Sequence, residues 1–133
     1  SLDLMHDYTL VNAEIDYGAN YGQTIPLIPS HQLNLGFDWH PIDCWTFIAN
    51  VRYFSAYHAG GDFSNIAEEL DGRVVVDLSV RYQLSETSEL FAGIDNLTDK
   101  DYVSTAISDG IGTVVAFYPA SGRSMKAGIR WRF

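Results

Sequence analysis

Cysteine is nearly missing from this chain of 133 residues, where Cys44 stands alone. An internal disulfide is excluded, and so is a metal site built on several thiolates. Cys44 itself is read as a small apolar filler. Cations are scarce as well. Against 17 aspartates and glutamates stand 8 lysines and arginines, a net charge of −9. That excludes nucleic acid as a partner, because phosphate recognition needs clustered Lys and Arg. No apolar run approaches the ~18 residues of a membrane-crossing helix, and nothing after Ser1 has the basic and apolar blocks of a secretory leader. The missing long run does not speak against a membrane, since a barrel strand hides its apolar residues by alternation. His6, His31, His40 and His58 are scattered with no i,i+2 or i,i+4 pair, so neither a metal cluster nor a cofactor is expected.

What the chain does have is aromatics, 14% of all residues, and alternation. In the stretch 123–133, Met125, Ala127, Ile129, Trp131 and Phe133 share one face of a strand. Lys126, Gly128, Arg130 and Arg132 share the other. Such a strand suits lipid on one side and a wet lumen on the other. Five further segments alternate. Segment 8–17 is the weakest, with Thr9, Val11, Ala13, Ile15 and Tyr17 on one face. Segment 31–40 sets Leu33, Leu35, Phe37 and Trp39 against Gln32, Asn34, Gly36 and Asp38. Segment 44–57 carries Trp45, Phe47, Ala49, Val51 and Tyr53 on one side, with Ile48 and Phe54 as exceptions on the other. Segment 73–84 is the clearest, with Val75 the one apolar residue on its polar face, and segment 89–97 places Leu90, Ala92 and Ile94 together. Stretches 18–30, 58–72 and 98–122 read as loops, and no segment reads as a helix beyond a turn near 66–70.

Six strands with connections alternating long and short make a meander with one end of short turns and one of long loops. Outer-membrane barrels have that asymmetry, with short periplasmic turns and long extracellular loops. Segments of about ten residues match the ~9–11 needed to cross a bilayer at a tilt. Trp39, Trp45 and Phe133 fall at the short-turn end and Tyr17, Tyr53 and Tyr57 at the long-loop end, as two aromatic girdles. The competing fold is a soluble antiparallel barrel or sandwich with a packed core, which alternation alone does not exclude.

Ile94-Asp95-Asn96-Leu97-Thr98-Asp99-Lys100-Asp101-Tyr102, followed by Tyr118-Pro119-Ala120-Ser121-Gly122-Arg123 and the strand ending at Phe133, resembles the C-terminus of TonB-dependent outer-membrane receptors. Ile25-Pro26-Leu27-Ile28-Pro29-Ser30-His31 is similar to a strand entry of the ferric-siderophore receptors among them. The resemblance implies a barrel of about 22 strands with an N-terminal plug and a TonB-contacting box. Neither plug nor box is found in 1–133, and six strands fall short of the ~8 that close a bacterial barrel. The chain is therefore expected to be a C-terminal piece of such a barrel: all-β, an antiparallel meander of six transmembrane strands with three long extracellular loops. The implied function of the parent is energy-coupled uptake of an iron chelate through the outer membrane of a Gram-negative cell. Implied partners are outer-membrane lipid, the chelate, the TonB complex through the plug, and the barrel-assembly machinery reading Ile129, Trp131 and Phe133. A passive porin or adhesin-like barrel and a small soluble ligand-binding barrel remain as alternatives.

Chemistry beyond this is thin. Ser79 with His31 or His40 would be a nucleophile and base, but Ser79 lies mid-strand and the two histidines flank other strands, so no enzyme is expected. Asp62, Glu68, Glu69 and Asp71 make an acidic loop without Asp-x-Asp-x-Asp-Gly spacing, read as a solvated surface loop, bridged at most to lipopolysaccharide by divalent cations. Arg52, Arg81 and Arg130 face the lumen, where they either guide an anionic chelate or pair with Asp77 and Asp95. Pairing is the favoured reading. Tyr57 and His58, at the entry to the external loop, complete the ligand-side candidates with Arg52 and Arg81. Asn96 and Asp99 are expected to bond nearby backbone at a strand exit, Tyr102 to lie back at the interface, and Arg123 to restart the last strand.

Overall fold

A computed structural model describes residues 1–132. Its strands are β1 (Leu2–Leu10), β2 (His31–Trp39), β3 (Trp45–Phe54), β4 (Arg73–Ser85), β5 (Ser88–Asp95), β6 (Val103–Ser108), β7 (Val114–Pro119) and β8 (Ser124–Trp131). An antiparallel six-stranded sheet runs in the order β1-β2-β3-β4-β5-β8, and β6 and β7 form a hairpin of their own. Among the described residues β1 and β8 each pair on one side only, so the sheet is open.

Register turns the alternation of each strand into rows that cross the sheet. Leu4, Phe37, Ala49, Leu78, Ile94 and Met125 form one row, and Leu2, Trp39, Phe47, Val80, Ala92 and Ala127 the next. All lie on one face, and a one-residue slip of any strand would turn its whole apolar set to the other side. The opposite face carries Asn50, Arg52, Asp77, Arg81, Glu89 and Lys126. The apolar face is not covered by another layer: Leu4 is 59% exposed and Leu78 38%. At the short-turn end, Trp45 packs on Phe47 and Tyr82 with ring centroids 5.7 and 4.7 Å apart, and Trp39 lies 5.4 Å from Phe47. Trp39 and Trp45 of the girdle expected at that end thus lie together, and Phe133, its third member, lies outside the described residues.

Three expectations are corrected. The first strand is Leu2–Leu10 rather than 8–17, so its apolar face is Leu2, Leu4, Tyr8 and Leu10, and Ala13, Ile15 and Tyr17 lie in the loop 11–30. Pairing decides it: only this register lays β1 along the whole of β2. The stretch 98–122 is not a plain loop but contains the β6–β7 hairpin. Of the long-loop girdle, Tyr53 stays on the apolar face opposite Val74, Tyr17 leaves the sheet, and Tyr57 turns inward. Tyr8, stacked on His31 and bonded to its Nδ1 at 2.8 Å, stands at that height instead.

The packed core sits in the loops. Tyr57, Ala59, Leu70 and Ala106 cluster with Val103 and Val114, where loop 55–72 meets the β6–β7 hairpin. Val75, the apolar exception on the polar face of β4, is 3% exposed.

Candidate functional site: the polar face and its loop-covered mouth

The polar face neutralises most of its own charge. Arg52 of β3 meets Asp77 of β4 at 2.7 Å, Lys126 of β8 reaches Asp95 of β5 at 3.0 Å, and Arg130 of β8 reaches Glu89 of β5 at 2.8 Å. All three are cross-strand pairs, the geometry in which opposite charges on neighbouring strands stabilise a sheet. The favoured reading of pairing holds for Arg52 with Asp77. Arg130 takes Glu89 as partner, and Asp95 takes Lys126. Arg81 lies between Thr46 and Phe91 in register and forms no salt bridge among the described residues.

Arg73, which the sequence reading passed over, begins β4 on the polar face at the long-loop end. Its guanidinium lies 4.7 Å from the ring centre of Phe54, 5.0 Å from that of Tyr102 and 5.6 Å from that of Tyr57, and it donates to the Tyr57 hydroxyl at 3.2 Å. Stacked between rings, a guanidinium keeps its charge while giving up much of its water. The alternation of 73–84 already placed Arg73 on this face; the rings that surround it come from two stretches, 54–57 and Tyr102, and no local pattern brings Tyr102 there. Tyr102 is thereby corrected from a residue at the membrane interface to one under Arg73.

The four ligand-side candidates are not brought together. Arg52 lies two residues from the long-loop end of β3 and Arg81 pairs with Thr46 near the short turns, so six register positions separate them. Tyr57 is 5% exposed and donates to the Ser104 carbonyl at 3.1 Å. His58 is half-sunk in loop 55–72, its Nδ1 3.3 Å from Asp62 Oδ2 and its Nε2 3.4 Å from Glu69 Oε1. Among the assembly residues, Ile129 and Trp131 lie on the apolar face of β8, and Phe133 lies outside the described residues.

The acidic loop is solvated only in part. Asp62 is fully buried. Glu69 and Asp71 face Lys100, Tyr102 and Phe117 across a cleft of about 340 Å³ between this loop and the hairpin. Loops 11–30 and 55–72 contain no lysine or arginine.

At the strand exit Asn96 bonds nearby backbone as expected, whereas the Asp99 side chain reaches backbone that is distant in sequence. Asn96, in the left-handed region at φ 53°, brackets Lys100 by accepting its N–H and donating to its carbonyl, both at 2.9 Å. Asp99 accepts the Arg123 N–H at 2.9 Å, which ties the end of β5 to the start of β8 across the hairpin.

The first five strands of this architecture, β1 to β5, fall within a known family model. The model described as TonB dependent receptor-like, β-barrel matches residues 2–97. The chain belongs to that family. TonB-dependent receptor barrels of Gram-negative bacteria are outer-membrane proteins. The chain is similar to the ferric enterobactin receptor of Pseudomonas aeruginosa, with 26% identity over 114 residues, covering 77% of this chain and 15% of the relative. Among solved structures, the ferric-catecholate import receptor Fiu of E. coli K12 superposes with a TM-score of 0.82 at 23% identity, over 99% of this chain and 19% of the other. The siderophore receptor PiuA of Acinetobacter baumannii does so with a TM-score of 0.83 at 20% identity, over 98% and 19%. These two carry the fold. The chain thus spans less than a fifth of the length of each of these proteins.

Proposed function

We propose that these residues form one wall of an outer-membrane barrel that takes up an iron chelate with energy delivered by TonB through an N-terminal plug, as a transporter rather than an enzyme. The observation that carries this reading is the apolar face that runs over six strands, interrupted in β1 by His6, and backed by a face of paired charges, in a chain that matches the family's barrel model. An apolar face of this extent with no protein layer over it suits lipid, and a wet lumen suits the paired charges. The name of the Pseudomonas relative supports a ferric chelate as cargo. In this reading the long-loop end is extracellular.

The ligand-side residues then divide by position. Arg52 and Arg81 line the path of the chelate, Arg52 with its charge shared by Asp77. Tyr57 and His58 act one step back, shaping the loop over the mouth. Ile129, Trp131 and Phe133 are the strand end that the assembly machinery engages by edge pairing. The test is uptake of radioactive iron from defined ferric chelates by cells whose only receptor is the full-length protein containing this chain. Saturable uptake that stops when TonB is deleted supports the reading. Non-saturating uptake indifferent to TonB would replace it with a passive pore.

A further inference from the structure

Loops 11–30, 55–72 and the β6–β7 hairpin belong to three different connections, yet the middle one bonds to both of the others. Leu27 of the first loop donates to the His58 carbonyl at 2.9 Å. Asn65, in the left-handed region at φ 53°, accepts the Thr24 N–H through Oδ1 at 2.6 Å and donates to the Thr24 carbonyl at 3.0 Å. On the other flank Gly60 donates to Ala106 and accepts from Ser108, both at 2.8 Å, so residues 58–60 run as a short parallel bridge beside β6.

Everything in that middle segment is folded around one side chain. Asp62 has no exposed surface. Its Oδ1 accepts from the Ile66 N–H at 3.1 Å and the Ser64 hydroxyl at 3.4 Å, and its Oδ2 accepts from the Ala67 N–H at 3.1 Å. The Asp62 carbonyl takes a further bond from Asn65 Nδ2 at 3.0 Å. The same Asn65 amide therefore holds both the Asp62 turn and the first loop. Removing the Asp62 carboxyl would leave the buried Ala67 N–H and the part-buried Ile66 N–H without their partner, and an unpaired buried N–H costs more than the bond itself contributed. The turn would open, and Asn65 and Gly60 would lose the placement from which they hold their neighbours.

We propose that Asp62 is the keystone of a conformational device: it makes the three loops over the mouth one cooperative body, so that they open and close together rather than singly. A packed cluster of Tyr57, Ala59, Leu70 and Ala106 beneath the turn supplies the stiffness that such concerted motion requires. The inference concerns the loops of this chain and holds whatever the cargo is.

Hydrogen exchange on the full-length receptor in lipid nanodiscs, without any ligand, tests it. In Asp62→Ala, amides of 24–27 and of 106–108 should exchange on the order of tenfold faster or more, together with 62–67, while 76–82 in β4 stay protected. Asn65→Ala removes the bonds to Thr24 and one bond to the Asp62 carbonyl but keeps the Asp62 carboxylate bonds, so it should release 24–27 much more than 106–108. Should Asp62→Ala not assemble, Asp62→Asn keeps the shape and one acceptor, and a smaller rise at both flanks is expected. Faster exchange confined to 62–67 in the Asp62 variants, or release of 106–108 by Asn65→Ala as large as by Asp62→Ala, overturns the proposal.

Discussion

At the scale of residues, the polar face tolerates little change where it is tightly filled. Gly128 lies opposite Phe91, and a methyl group at 128 would come within 2.7 Å of the ring. The ring cannot swing freely, because Arg130 stacks over it at 5.7 Å while holding Glu89. Gly128→Ala is expected to destabilise the assembled barrel by about 1–3 kcal/mol, as overfilled sites do. Adding Phe91→Ala should recover part of the loss, which urea unfolding in vesicles would read. Asp109 offers a second test. Its carboxylate accepts the N–H groups of Ile111 at 2.9 Å and Thr113 at 3.0 Å, and these bonds hold its pKa below the usual carboxylate value. A carboxyl lowered on folding gives stability that is present above its unfolded pKa and is lost as pH falls through the folded one. The β6–β7 turn should therefore keep its amide protection through the usual carboxylate range and lose it only as the pH falls below that range, and Asp109→Asn should remove that dependence.

Among elements, β4 reports most plainly which side meets lipid. Leu78 lies mid-strand between Ala49 and Ile94 on the apolar face, and Ser79 between Ile48 and Gly93 on the other. Leu78→Arg should cost roughly 2–4 kcal/mol in the assembled barrel, and Ser79→Arg much less. Folding yields into vesicles compare the two. Equal losses, or a worse Ser79 variant, would reverse the faces. The strands that alternate with few exceptions and have a short turn at one end, β2 to β5, were legible in the sequence within a few residues, because each pairs over its length with a neighbour of the same pattern. The first was not. Val11, Ala13 and Ile15 alternate as well as Leu4, Tyr8 and Leu10 do, and only the cross-strand register against β2 selects the latter. The β6–β7 hairpin was readable in principle, since Val103–Ser108 and Val114–Pro119 flank Asp109-Gly110, a turn signal between β-rich runs. The site was less legible than the fold. Cross-strand pairing of Arg52 with Asp77 follows from alternation. The burial of Tyr57 and Asp62 and the rings around Arg73 depend on contacts between loops that are distant in sequence.

For the molecule as a whole, the open edges of β1 and β8 and the uncovered apolar face set its behaviour outside a barrel. Expressed alone, the chain presents two rows of unpaired N–H and C=O groups, which recruit other strands. Light scattering should find aggregates or edge-paired oligomers; a monodisperse monomer without detergent that melts cooperatively would contradict the account. In the full-length receptor, deleting Phe133 or replacing it with Asp should slow assembly far more than Arg132→Ala does, with synthesis unchanged. Pulse-chase assembly beside thermal stability of the finished barrel separates recognition from simple anchoring: a barrel less stable but assembled at the normal rate would leave Phe133 only an anchoring role. The central claim is that one face of this sheet lies in lipid and the other in water. Single cysteines placed in turn at 74–82 of the full-length receptor, in a Cys44→Ser background, can be spin-labelled and exposed to oxygen and to a water-soluble nickel chelate. The account predicts a period of two, with labels at Val76, Leu78 and Val80 relaxed by oxygen and those at Asp77, Ser79 and Arg81 by nickel. The opposite phase, or nickel access at every position, would contradict it.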